Sequence, residues 1–130
     1  MKNKKSIYLI VAISIFVGAM HFVIGPNYTG IFNQFVSGYL MDILLLMNLY
    51  LLLQISLRKK ISITKSRLAG AILTFLFGTT VEVLQLYDVK FLGSTYDPLD
   101  ILMYGIGVLM GILIDLLLID NFERSISEKA

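Results

Sequence analysis

The chain contains no cysteine and no tryptophan, and only two prolines and one histidine. Without cysteine there is no disulfide, no thiolate nucleophile and no Cys-based metal site. Charge is also scarce: 15% of the 130 residues are Asp, Glu, Lys or Arg, where a soluble domain carries about a quarter. The basic residues form no patch interleaved with aromatics, which speaks against nucleic acid as a partner. A Ser–His spacing, a Gly-rich phosphate loop and an HExxH motif are missing as well. Nothing in the chain implies a cofactor.

Apolar residues are abundant, at 57%, and they are not spread evenly. They fall in four runs, Ser6 to Ile24, Ser37 to Leu57, Leu68 to Tyr87 and Pro98 to Ile119. Each run is close to the roughly 20 residues that cross a bilayer core of about 30 Å. A segment in lipid must satisfy its own backbone, so runs of this length are read as helices. The short alternating segments of a membrane β-barrel are absent. The expected fold is all-α, a four-helix transmembrane bundle formed by residues 1–130 as one domain. Gly25-Pro26-Asn27 ends the first run, since proline cannot continue a helix interior. Arg58-Lys59-Lys60 stops the second, Asp88 to Asp97 forms a polar loop, and Asp120 to Ala130 reads as a charged tail.

The basic residues give an orientation. Three lysines precede the first run, Arg58, Lys59, Lys60, Lys65 and Arg67 separate the second from the third, and Arg124 and Lys129 follow the fourth. The two other connections hold only Lys90. Positive charge accumulates on the cytoplasmic side, so both termini and the central connection are expected inside, in a multi-pass protein of the cell membrane. The basic start and Val17-Gly18-Ala19 loosely resemble a cleaved signal peptide. However, the apolar run continues through Phe22, Val23 and Ile24. Phe22, Tyr28, Phe32, Phe35, Tyr39, Tyr87, Phe91 and Tyr96 all fall at the expected outer interface, the depth that aromatic rings favour.

The unusual polar residues share that depth. His21, Asp42, Glu82, Gln85, Asp97 and Asp100 all lie near the outer ends of the expected helices, as a candidate binding cluster. Glu82 is the sharpest signal, an acid within an apolar run, and Gln85 and Gly78 lie on its face. Such an acid faces a bundle interior, pairs, or takes up a proton; interhelical hydrogen bonding explains it equally well. Asp97-Pro98-Leu99-Asp100 reads as a helix cap, proline at the first helical position and an acid in the first turn. Asp100, Tyr104, Gly107, Gly111 and Asp115 lie on one face at spacings of four, three, four and four residues. Gly107 and Gly111 form a small-xxx-small pair that admits another helix, taken here to be the third near Gly78. Asp115, close to the inner end, reads as solvated. Asn48 and Gln54 read as hydrogen bonds between helices. An oxygen-rich set with one histidine suits a hard or borderline divalent cation, so a metal remains an open question.

Val81-Glu82-Val83-Leu84-Gln85, followed by Asp100, Tyr104, Gly107 and Gly111, resembles the VanZ-like superfamily. That group has E-x-x-Q closing its third helix and D-x-x-x-N-x-x-G-x-x-x-G opening its fourth. Tyr104 stands where asparagine is typical, and an arginine usual in the preceding loop is missing. Those departures resemble more closely a bacterial membrane family of unknown function, number two-eight-zero-nine. The likeness rests on Leu92-Gly93-Ser94-Thr95-Tyr96-Asp97, Asp100-Ile101-Leu102-Met103-Tyr104 and Gly38-Tyr39-Leu40-Met41-Asp42. It covers about three of the four runs. VanZ-like proteins are linked with low-level resistance to teicoplanin-type glycopeptides, while the second family has no assigned activity. The resemblance implies a cell-envelope setting.

Three functional readings follow, in this order. The acidic cluster binds an envelope component, a cation or a lipid head group. Alternatively, the chain is a small oligomeric transporter or channel using Glu82. The third reading is a membrane enzyme on a lipid-linked substrate, with Glu82 and Asp100 as acid and base; it lacks a clear nucleophile or oxyanion donor, and no residue is assigned as catalytic. The expected partners are the lipid bilayer, a lipid or cell-wall component, and further copies of the chain.

Overall fold

The computed structural model of the chain describes residues 4–89 and 95–129. Lys2, Lys90, Phe91 and the Leu92-Gly93-Ser94 part of the motif lie outside them. Four helices are long and apolar enough to cross a membrane: α1 (Lys4–Asn27), α2 (Asn33–Lys60), α3 (Ile63–Leu86) and α4 (Pro98–Lys129). The described residues contain no strand.

Every helix except α3 at its far end outruns its apolar run. An apolar run marks a length of hydrocarbon, whereas a helix continues for as long as its backbone bonds are met. The expected basic loop shrinks to Ile61 and Ser62, so Arg58, Lys59 and Lys60 ride on α2, and Lys65 and Arg67 on α3. The expected charged tail is helical through Lys129. α1 passes through Gly25 and Pro26 before it ends at Asn27. Pro26 has no N–H to give, and the turn before it widens: Met20–Ile24 is π-helical, with the Gly25 N–H donating to the Met20 carbonyl. Two further π turns lie within α2, at Val36–Leu40, and within α4, at Asp115–Ile119.

α2 is the central helix. It packs against α1, α3 and α4; α3 and α4 also meet each other, while α1 rests chiefly on α2. Neighbours along the chain are antiparallel, which brings the C-terminus of α3 beside the N-termini of α2 and α4. Ile10, Tyr50, Leu51 and Ile119 form the fully buried apolar centre, nearer the end that holds the chain termini.

Glycine sets the closest approach. A Cβ on Gly107 would lie 2.5 Å from the Ile43 carbonyl oxygen, and one on Gly111 would lie 2.7 Å from the Tyr50 ring. The small-residue pair therefore faces α2, not the α3 expected from its spacing. Periodicity identifies a face but carries no information on which helix covers it. Gly78 of α3 has a different task. It leaves room for the Tyr104 ring, which a Cβ there would meet at 2.7 Å.

Candidate functional site

The polar residues of the described chain gather at both ends of the bundle. At the end formed by the C-terminus of α3 and the N-termini of α2 and α4, Glu82 is 0% exposed. Both of its carboxylate oxygens are engaged. The Tyr104 hydroxyl donates to Oε1 at 2.9 Å, and the Asp97 backbone N–H donates to Oε2 at 3.2 Å. Asp97 caps α4 as its sequence context implies, its Oδ1 accepting from the Leu99 N–H at 2.9 Å. Its Oδ2 accepts from the Tyr39 hydroxyl of α2 at 2.8 Å. One network thus ties α2 through Tyr39, α3 through Glu82 and α4 through Asp97 and Tyr104. Gln85 is buried on the Glu82 face.

Two acids at this end remain uncommitted. Asp42 and Asp100 are half-buried, and neither carboxylate makes a hydrogen bond or ion pair among the described residues. They lie within electrostatic reach of each other and of Glu82. A carboxylate removed from bulk water without a partner is costly, and a second one beside it adds repulsion. His21 stays apart from the Glu82 network. It stands edge-on to Phe22, with ring centroids 5.1 Å apart, and lines a cleft together with Asp42. No three of the His, Asp and Glu residues described converge closely enough to hold a metal ion.

The tyrosines were the hidden part of this site. Tyr39 reads in sequence as one interfacial aromatic among several, and Tyr104 as a packing residue. The available signal was spacing: Tyr39 and Asp42 are three apart on α2, and Tyr104 lies one turn beyond Asp100 on α4, so each hydroxyl is carried on an acid's face.

The opposite end holds an ionic network. Asp115 is 0% exposed, which overturns its reading as a solvated acid. Arg58 of α2, whose side chain is 2% exposed, pairs with Asp115 Oδ1. Arg67 of α3 donates from Nε to Asp115 Oδ2 at 3.0 Å and from Nη2 to Asp120 Oδ2 at 2.5 Å. The Tyr50 hydroxyl donates to Asp115 Oδ2 at 3.2 Å. Asp120 and Glu123 lie 3.4 and 3.8 Å from Arg58 Nη1. Charges this deep are tolerated because each has an opposite partner and added hydrogen bonds. Between the two ends, the Ser14 hydroxyl donates to Asn48 Oδ1 at 2.6 Å, and Gln54 Nε2 donates to the Ser66 carbonyl at 3.1 Å. Both are the interhelical bonds expected of Asn48 and Gln54.

The two ends differ in what they can do. The ionic end has matched its charges internally. The acidic end has not: it offers two unpartnered carboxylates beside a third already held. Compared with models of known protein families, with curated proteins and with solved structures, the chain gives no match.

Proposed function

We propose that the chain is an integral membrane protein with both termini cytoplasmic, and that its outward acidic end binds a cationic group. That group belongs to a lipid head or another envelope component, or is a free cation. The observation that carries this reading is the pair Asp42 and Asp100, half-buried and without a partner beside a satisfied Glu82. Glu82, the first choice on sequence, becomes the residue that orders the site; Asp42 and Asp100 are the ones that meet the ligand. An organic ammonium suits the site better than a bare divalent ion, since no three ligating side chains converge among the described residues. The distribution of basic residues supports the orientation. The resemblance to VanZ-like proteins in Glu82, Gln85, Asp100, Gly107 and Gly111 is in keeping with an envelope role.

Binding is favoured over conduction by the packing at mid-bundle. Gly107 brings α4 onto the backbone of α2, and Gly111 brings it onto Tyr50. That contact closes the α2–α4 seam between the two polar ends.

The test is thermal unfolding of the detergent-purified protein with ethanolamine, magnesium or calcium. Ligand at about a hundredfold excess over its dissociation constant stabilises by about 2.7 kcal/mol. The parent should be stabilised, most by ethanolamine, and the double variant Asp42→Asn/Asp100→Asn should respond far less. A parent indifferent to all three, or a variant that responds equally, refutes the reading.

A further inference from the structure

A lateral cleft of about 390 Å³ opens between α1 and α2, with Phe77 of α3 at its side. That volume is in the range of small-molecule sites, roughly 300–1,000 Å³. Most of the lining is apolar, with Leu45, Leu49 and Leu52 at spacings that place them on one face of α2. Four polar residues break this surface: Ser14, His21, Asp42 and Asn48. Ser14 and Asn48 satisfy each other. The other two are unsatisfied. His21 Nδ1 is buried with no hydrogen-bond partner, and the Asp42 carboxylate has none among the described residues.

The two unmet groups lie towards the acidic end, and the leucines continue from Asp42 towards the middle of the bundle. A hydrocarbon chain alone would cover the leucines but leave the His21 ring edge and the Asp42 carboxylate without a polar partner. An occupant that meets both must carry N–H donors, positive charge and an alkyl chain on one molecule. The geometry points to a phospholipid whose head group ends in a primary ammonium. The ammonium donates to Asp42 and to the accessible ring nitrogen of His21, Nε2, since Nδ1 is enclosed, and one acyl chain lies along Leu45, Leu49 and Leu52. A quaternary ammonium head brings charge but no N–H donor. A glycerol head brings hydroxyl donors but no positive charge, and its phosphate meets Asp42 unshielded. This assignment rests on the acidic end being a cation-binding site; it adds the identity of the ligand and seats it on the Asp42 side of that end, in a cleft that Asp100 does not line.

The experiment presents the delipidated, detergent-purified full chain with phosphatidylethanolamine, phosphatidylcholine and phosphatidylglycerol of identical acyl chains. Native mass spectrometry then counts the lipid retained. Phosphatidylethanolamine should be retained about tenfold better than either of the others, a difference of about 1.4 kcal/mol. Asp42→Asn and His21→Phe should each erase that preference while leaving helix content unchanged, and Leu49→Trp should reduce retention of all three lipids by filling the cleft. Should Asp42→Asn fail to fold, His21→Phe alone decides. Equal retention of the three lipids by the parent, or an undiminished preference in a folded His21→Phe, overturns the assignment. If ethanolamine still stabilises the parent in that case, the cation site stands and only the lipid is wrong; if it does not, both fail.

Discussion

Glu82 and Asp115 are both acids of 0% exposure, yet they are held by different chemistry, and their variants should differ. Glu82 accepts from a phenol and a backbone N–H, neither of them charged. Glu82→Gln can keep both contacts, its oxygen accepting from the Asp97 N–H and its amide donating to the Tyr104 oxygen. It should therefore cost little, while Tyr104→Phe, which leaves Glu82 Oε1 without its donor, should cost about 1–3 kcal/mol. Thermal unfolding in detergent reads this directly, and a Glu82→Gln variant as unstable as Tyr104→Phe would show that the negative charge itself is needed. Asp115 faces two guanidinium groups. Asp115→Asn removes the buried partner shared by both arginines, leaving Arg58 only Asp120 and Glu123 at 3.4 and 3.8 Å, and should cost about 3–5 kcal/mol, the penalty for breaking a buried pair. Asp120→Asn, at a partly exposed position, should cost far less. Comparable losses for the two would mean that the network is worth no more at its centre than at its rim. The buried Glu82 and the Asp97 cap were legible in sequence because a lone acid in an apolar run and a D-P pair each carry a local physical signal. The partners of Asp115 were not. Arg58 and Arg67 lie at the ends of apolar runs, where basic residues ordinarily report orientation and meet water.

At the scale of the element, helix ends and phase account for most of what the sequence left open. In a regular α-helix of about 3.6 residues per turn, residues five apart diverge by about 140°. Asp115 and Asp120 would then point to different sides. The π turn over Asp115–Ile119 is bonded five residues apart, with the Asp120 N–H donating to the Asp115 carbonyl. It turns the two acids towards a common side, where Arg67 reaches both. No periodicity argument based on a regular helix anticipates that. The glycines test the packing of α4 on α2. Gly107→Ala would place its methyl 2.5 Å from the Ile43 carbonyl oxygen, which is backbone and cannot rotate away. Overpacking of this kind costs about 1–3 kcal/mol. Gly105, two residues earlier, would set a Cβ 3.8 Å from the Phe75 ring, an ordinary contact. Gly105→Ala should be neutral, or stabilising by up to about 1 kcal/mol through helix propensity. Stability measured on the two single variants decides, and equal tolerance would mean that the α2–α4 contact is looser than described.

Over the whole molecule, the division of charge is the organising fact. One end pairs its acids with arginines; the other gathers Asp42, Asp97, Asp100 and Glu82 without an arginine or lysine among the residues described around them. The account depends on which end faces out. Because the chain has no cysteine, single cysteines can be labelled without background. Thr95 stands just before α4 at the acidic end and Ser127 near the end of α4, and both are exposed. Labelling of Thr95→Cys and Ser127→Cys in cells with a membrane-impermeant maleimide is the most direct measurement. The account predicts that Thr95→Cys reacts in intact cells and Ser127→Cys only after the membrane is opened. Reaction of Ser127→Cys alone in intact cells would turn the acidic end inward, and reaction of both would mean that the four helices do not span the membrane as proposed.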